Sequence, residues 1–162
     1  MPTLPRAKDI MSRNPLTIQA DMIVREAAIK MKKKKTVTAP VLDEQNNFVG
    51  VFSIQGCIEA FIDVVYHEVP IPVHVLDYLE PTSRTITEET SLFEIAEIFV
   101  HRDQRLVVSL PVLRDGKVIG LVYRKDLLDA ILDLTAKFPR PEAAVLYLSS
   151  LRDRDEVPKK LW

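Results

Sequence analysis

The side chains best suited to chemistry lie in two short stretches that almost match. They are FVGVFSIQG at residues 48–56 and VIGLVYRKD at residues 118–126. Each has an apolar run, a glycine, a second apolar run and a polar residue leading into a predicted helix. The second stretch ends on Asp126, where the first has Gly56. A carboxylate only accepts hydrogen bonds. At a helix start it either binds a ligand's donors or stabilises the helix by about 0.3–1 kcal/mol, and both interpretations stand.

A run of basic residues, KMKKKK at 30–35, is the strongest charge feature. Such a run is typical of a solvated helix end, where lysines complement the helix dipole. The alternative is a phosphate contact by Lys34 or Lys35. The net charge is −1, and no stacking aromatic residues accompany the run, so we expect no nucleic-acid partner.

Histidine and cysteine residues are too few and too unevenly spaced to predict a metal site. We interpret Cys57 as a small buried helix residue with a free thiol, which favours a cytoplasmic location. No apolar run approaches the roughly 20 residues that span a bilayer, and the N-terminus lacks the apolar region of a signal peptide. No nucleophile-elbow, zinc-protease or P-loop motif is present, so we expect no enzymatic activity.

The two matching stretches belong to a longer unit that occurs twice. Matched residues follow in the same order about 70 positions apart: Thr17 with Thr85, Pro40 with Pro111, and Gly50 with Gly120. Constant order with small drift indicates one duplicated unit with insertions only in its connections.

Each unit has the pattern of a β-α-β-β-α fold of roughly 55 residues. One copy alone would have a marginal core, so we expect two copies to pack with pseudo-two-fold symmetry in an α/β (α+β) fold. Strands are predicted at roughly 37–42, 48–53, 106–113 and 118–123, and the second helices at about 55–65 and 125–137.

The domain boundaries follow from the repeat. The first unit is predicted over residues 6–66 and the second over 76–137, with a proline-containing linker at 67–75. Residues 138–162 form a C-terminal extension, predicted as an amphipathic helix after Pro141 and a mobile tail.

The pattern KDIM…PLTI…APVL…FVGVFS, followed by LDYL…SRTI…LPVL…VIGLVYRKD, resembles a tandem pair of CBS domains, the Bateman module, over about residues 6–132. The resemblance implies a regulatory module that binds AMP, ADP, ATP or S-adenosylmethionine between its repeats and signals to a partner protein. No cofactor is required. The alternative is a degenerate pair that acts as a dimerisation or protein-interaction module without nucleotide.

In that family the nucleotide motif is glycine, two apolar residues, Ser or Thr, two variable residues and Asp, whose carboxylate accepts the ribose hydroxyls. The second copy keeps Asp126 but has Tyr123 in place of the small hydroxyl residue. The first copy keeps Ser53 but has Gly56 in place of the acid. Neither motif is complete.

The resemblance therefore implies two unequal clefts. The Asp126-side cleft, the favoured ligand site, would be lined by Leu16, Thr17, Lys35, Thr36, Val37, Val108, Leu121, Tyr123, Arg124 and Asp126. The Gly56-side cleft, the weaker site, would be lined by Ser53, Gly56, Thr85 and Val107. Tyr123 also has a packing interpretation, in which its bulk closes the cleft beside Asp126.

The second helix of each copy carries more apolar residues than one core face needs. These residues are Ile58, Phe61, Ile62 and Val65 in the first copy, and Leu127, Leu128, Ile131 and Leu132 in the second. In the family these helices form a dimer interface, so the sequence predicts a homodimer.

Overall fold

The fold is known from a computed structural model that describes residues 3–81, 84–101 and 107–153. Over these residues the helices are α1 (Ala7–Ile10), α2 (Val24–Lys34), α3 (Ile54–Tyr66), α4 (Leu92–Val100), α5 (Arg124–Ala136) and α6 (Pro141–Asp153), with a 3₁₀ helix at Val75–Tyr78. The strands are β1 (Ser12–Arg13), β2 (Ile18–Gln19), β3 (Thr38–Leu42), β4 (Phe48–Ser53), β5 (Ile86–Thr87), β6 (Ser109–Arg114) and β7 (Lys117–Tyr123).

The predicted β-α-β-β-α unit is confirmed twice, as β2-α2-β3-β4-α3 and β5-α4-β6-β7-α5. In each unit the first strand pairs in parallel with the second, and the second pairs antiparallel with the third. The register shifts between Val41 and Leu42 in one sheet and between Val112 and Leu113 in the other. The copies thus share an irregularity, as expected of a duplication.

The hairpin turns of the two units are built differently. In the first, the Asp43 carboxylate accepts hydrogen bonds from the backbone N–H groups of Gln45, at 2.9 Å, and Asn47, at 2.8 Å. In the second, Asp115 and Gly116 both have positive φ, 52° and 75°. That conformation matches the twist of the flanking strands.

The segment before each unit packs on the other unit's core. Strand β1 pairs with β7, Ser12 opposite Leu121, and Ala7 is buried in the second core. The 3₁₀ helix places Val75 and Tyr78 in the first core. The two halves are therefore interleaved, because each core is completed by residues that precede the opposite repeat. The exchanged segments are α1 with β1, which lie on the second half, and the 3₁₀ helix, which lies on the first.

Glycine residues lie where the exchanged segments cross equivalent points of the two sheets. A Cβ on Gly50 would lie 2.8 Å from Leu79 Cδ1, and one on Gly120 would overlap the Met11 side chain. Leu79 and Met11 end the matching LDYL and KDIM motifs. The two glycines therefore leave room for the exchanged segments to lie against the strands.

Each half has its own apolar core. The first contains Ile18, Val24, Ala27, Met31, Ala39, Val41, Phe52, Ala60, Val75 and Tyr78. The second is built from Ala7, Met11, Ile86, Leu92, Ile95, Ile98, Phe99, Val107, Leu110, Val112, Val122, Leu127, Ala130 and Leu134. Between the halves, the buried hydroxyls of Thr38 and Ser109 lie 2.8 Å apart, so their desolvation is compensated by a mutual hydrogen bond.

The helix predicted after Pro141 is confirmed as α6. Leu148 packs on the second core, and the rings of Phe138 and Tyr147 lie 5.3 Å apart. The predicted mobile tail from residue 154 onward lies outside the described residues. Among the helices of the described part, none has both the length and the apolar character needed to cross a membrane.

Candidate functional site

A cleft of about 650 Å³ opens between the two halves on the Gly56 side. Its walls come from β3, the start of α3, the segment after the 3₁₀ helix and the start of β6. The lining residues are Val37, Thr38, Ser53, Ile54, Gln55, Gly56, Glu59, Tyr78, Leu79, Glu80, Pro81 and Val108. Apolar walls with a few polar groups at this size are typical of small-molecule sites.

Gly56 lies where the exchanged segment crosses the start of α3. A Cβ there would lie 2.5 Å from the backbone oxygen of Tyr78 and 2.9 Å from Cε2 of Phe52. Both distances are shorter than the 3.0 Å below which real Cβ contacts essentially do not occur, and the backbone oxygen of Tyr78 is the less movable neighbour. No side chain, and no acid, therefore fits at this position without moving the 3₁₀ helix.

Ser53 stabilises the same corner as the N-cap of α3. Its Oγ accepts a hydrogen bond from the backbone N–H of Gly56 at 3.4 Å, and the serine is buried. The Tyr78 hydroxyl donates to the Asp63 carboxylate at 3.0 Å, tying the 3₁₀ helix to α3. Burial, and then this hydrogen bond, raise the pKa of Tyr78, so the phenol is a fixed donor.

Two carboxylates line the Gly56-side cleft, Glu59 from α3 and Glu80 from the segment after the 3₁₀ helix. Gln55 donates to Glu59 Oε1 at 3.1 Å. The Glu80 backbone N–H bonds the Val51 carbonyl at 2.8 Å, which holds this segment against β4. Sequence reasoning missed both residues, although Glu59 follows Gly56 by one helical turn and so lies on the same helix face.

A small recess of about 10 Å³ shares Thr38, Glu80 and Val108 with the cleft and adds Arg84 and Val107 to its walls. Of the residues predicted for the Gly56 side, Ser53, Gly56 and Val107 thus lie at these two cavities. Thr85 is exposed and lines neither of them.

On the Asp126 side, a hydrogen bond crosses between the halves. The hydroxyls of Thr36 and Tyr123 lie 2.6 Å apart. Thr36 also donates to the Thr38 carbonyl at 2.7 Å. Because a hydroxyl has one proton, Tyr123 must be the donor to Thr36. The phenol of one half is therefore bonded to the strand entry of the other.

The Asp126 carboxylate already has partners in the first turn of its own helix. Its Oδ2 accepts the backbone N–H of Tyr123 at 2.8 Å, and its Oδ1 lies 3.2 Å from Lys125 Nζ. The hydrogen bond to Asp126 raises the pKa of Lys125. The carboxyl side chain is only 11% exposed, so it acts as a helix-stabilising acid in this conformation.

The other residues predicted for the Asp126 side are dispersed. Val37 and Val108 line the Gly56-side cleft, and Leu121 is 1% exposed within the sheet. Lys35 is an exposed residue with φ 53° that ends α2. Leu16 and Thr17 are half-buried.

Arg124, in the first turn of α5, contacts the backbone that leads into the Gly56-side cleft. Its Nε donates to the Val107 carbonyl at 3.1 Å, and its guanidinium lies 5.5 Å from the centre of the Phe99 ring. It thereby fixes the strand entry that leads to Val108, a residue of the Gly56-side cleft.

Metal-ligating and thiol groups do not form a second site in the described part of the chain. Within it, no group of three or more His, Cys, Asp or Glu residues could hold a metal ion. Cys57 is half-buried, and burial raises the pKa of its thiol, which disfavours the reactive thiolate.

This pair of interleaved repeats with clefts between them can be compared with known families. The CBS domain model matches the chain twice, over residues 7–63 and 75–133. The chain belongs to the CBS domain family. The two matches confirm a tandem CBS pair.

The chain covers very different shares of its relatives. The chain is 25% identical over 126 residues to an A-adding tRNA nucleotidyltransferase of Aquifex aeolicus, covering 78% of this chain but 14% of that enzyme. It is 29% identical over 132 residues to the uncharacterised protein MJ1004 of Methanocaldococcus jannaschii, covering 80% and 58%. The CBS pair thus spans only a small part of the first relative.

Solved structures show the same fold. CBSX2, determined in complex with AMP, has a TM-score of 0.69 at 23% identity, covering 81% of this chain and 98% of that one. The CBS pair of MJ0100, determined with 5′-methylthioadenosine and S-adenosylmethionine, has a TM-score of 0.67 at 20% identity, with the same coverage.

Proposed function

We propose that this CBS pair is a regulatory module that binds an adenosine-type ligand in the Gly56-side cleft and signals occupancy to a partner protein. The observation that carries the proposal is the cleft of about 650 Å³ between the halves. Because its walls come from both repeats, a bound ligand would change how the repeats sit against each other. Such a ligand regulates by binding one arrangement more tightly than the other.

The ligand class is supported by the shape of the cleft and by the relatives. Val37, Leu79 and Val108 offer apolar contacts for a flat base, while Ser53 and Glu59 offer polar ones. Two CBS pairs of the same fold were solved with AMP and with S-adenosylmethionine. We therefore expect adenosine, AMP, ADP, ATP or S-adenosylmethionine among the ligands.

Isothermal titration of the full chain, freed of co-purified ligand, tests this proposal. We expect at least one of these compounds to bind with one molecule per chain. Val108→Trp should fill the cleft and abolish the heat, whereas Val49→Trp should not. Val49 is a matched control because it is 40% exposed, against 41% for Val108, and does not line the cleft. No heat with any of the five compounds contradicts the proposal.

The alternative, an interaction module without nucleotide, is favoured by the Asp126 side. There the Tyr123 hydroxyl is bonded to Thr36 at 2.6 Å, and the Asp126 carboxylate is bonded within its own helix start. If both sides were filled in this way, nucleotides would leave the melting temperature unchanged, whereas a binder raises it by mass action.

We also propose a homodimer formed by α3 and α5. Ile54, Ile58, Phe61 and Val65 make one helical stripe on α3 and are 45%, 52%, 63% and 53% exposed. Leu128 and Leu132 on α5 are 55% and 57% exposed. Apolar stripes of this extent are typical of interaction sites.

Sedimentation at micromolar concentration tests the dimer. Phe61→Glu should give a monomer with an unchanged circular dichroism spectrum. Leu146→Glu is the control, because Leu146 is 72% exposed on α6, outside both stripes. A monomeric wild-type chain contradicts this part of the proposal.

A further inference from the structure

We infer that Glu59 is the hydrogen-bond acceptor for the ribose hydroxyls of the ligand in the Gly56-side cleft, replacing the acid that position 56 cannot hold. The inference rests on the proposed function, since it concerns the same cleft. It assigns a specificity role to a residue outside the nucleotide motif.

The need for a substitute acceptor follows from the packing at Gly56. A vicinal diol presents two donors, and a carboxylate is the side chain that accepts both without offering a donor of its own. At position 56 the backbone oxygen of Tyr78 occupies the space that a side chain would need. An acceptor for this cleft must therefore come from another residue that lines it.

Glu59 has the right position on α3. It follows Gly56 by one helical turn, and helical side chains lean toward the helix N-terminus, so its carboxylate covers the turn that contains Gly56. The hydrogen bond of 3.1 Å from Gln55 to Glu59 Oε1 shows that the carboxylate reaches that first turn. Within the described part of the chain Oε2 has no protein hydrogen-bond partner, which leaves it available to a ligand.

The second repeat provides a natural contrast. Its residue equivalent to Glu59 is Asp129, which is exposed like Glu59 but is one methylene shorter and does not line the cleft. There the acid stands at Asp126, in the first turn of α5. Each repeat thus has one carboxylate over its helix start, supplied by different positions.

Isothermal titration with adenosine, 2′-deoxyadenosine and 3′-deoxyadenosine tests the assignment. Charge-assisted hydrogen bonds are the strong ones, so wild-type protein should favour adenosine over each deoxy compound by about 10- to 100-fold. Glu59→Gln should weaken adenosine binding by a similar factor and leave little discrimination between the three compounds.

One variant serves as the control and one tests the rival carboxylate. Asp129→Asn makes the same charge change at the equivalent position of α5, outside the cleft lining, and should keep the preference for adenosine. Glu80→Gln removes the charge of the other carboxylate that lines the cleft, and so shows whether Glu80 rather than Glu59 discriminates between the compounds. If Glu59→Gln binds adenosine with unchanged affinity and discrimination, or if Glu80→Gln alone loses the discrimination, the assignment to Glu59 is overturned while the cleft stands. If wild-type protein binds none of the compounds of either titration, the proposed function fails as well.

Discussion

The two clefts of this CBS pair descend from one repeated corner, yet each has lost a different part of it. On the Gly56 side the cleft is open, and the backbone of the exchanged segment excludes the acid, with Tyr78 O 2.5 Å from a Cβ at position 56. On the Asp126 side the acid remains, and a phenol bonded to Thr36 at 2.6 Å stands beside it. An intact motif residue and an accessible cleft are therefore separate properties.

The largest expected effect comes from exchanging the two motif residues. Gly56→Asp should destabilise the fold by about 3 kcal/mol or more, because the side chain must displace Tyr78 and Phe52 and its charge is buried. Asp126→Gly should cost only about 1–2 kcal/mol, from a lost helix-start acid and a more flexible backbone. Urea unfolding of both variants measures the difference, and equal losses would break the comparison.

The exchanged segments give the next effect. Gly120→Ala places a Cβ against the Met11 side chain and should cost about 1–3 kcal/mol. Shortening that side chain relieves the overlap, so Gly120→Ala combined with Met11→Ala should lose less stability than the sum of the single variants. Additive losses in denaturant unfolding would show that the Met11 side chain does not lie against Gly120 as described.

A substitution of Tyr123 should change stability less than the variants above, but it should change ligand binding clearly. Tyr123→Ser removes the ring and the bond to Thr36, while restoring the small hydroxyl residue of the family motif. We expect a second adenosine to bind per chain by isothermal titration. Tyr123→Phe is the control, since it loses about 0.5–1.5 kcal/mol of hydrogen-bond energy but keeps the ring in place. An unchanged stoichiometry in Tyr123→Ser would mean that something other than the phenol closes this side.

The smallest expected effect is on the pH dependence of folding stability, and it distinguishes the two hairpin turns. The backbone N–H of Asn47 is the main reason that the pKa of Asp43 is lowered. A lowered pKa stabilises the fold above the unfolded value, near 4, and this contribution is lost as the pH falls through the folded value. Asp43→Asn should therefore be less stable than wild type at pH 7, and this difference in stability should narrow as the pH falls below about 4.

Asp115→Asn in the second turn is the matched control, because backbone conformation at Asp115 and Gly116 builds that turn. Thermal unfolding of wild type and the two variants, from neutral to acidic pH, measures the difference in stability of each variant from wild type. A constant difference for Asp43→Asn would contradict the carboxylate's part in the first turn.

Much of the fold could be read from the duplication. The four longer strands and the second helix of each unit lie within a few residues of their predicted positions, since apolar periodicity and turn residues are local signals. The capping box of Ser91 and Glu94 at the start of α4 is a local signal of the same kind. The interleaving of α1 and the 3₁₀ helix between the halves was outside the reach of periodicity, because it depends on contacts between distant parts of the chain, such as Ser12 with Leu121 and Val75 with Met22.

The sequence alone determined that there are two copies of one unit, that they form a CBS pair, and that the acid stands in only one of them. Tertiary structure decided what surrounds each motif residue. Tyr123 forms a hydrogen bond across the two halves only because Thr36 of the other repeat lies within reach. Gly56 excludes an acid only because Tyr78, 22 positions later, crosses over it. Volume and donor–acceptor distance belong to residues brought together by folding, so no motif in either repeat records them.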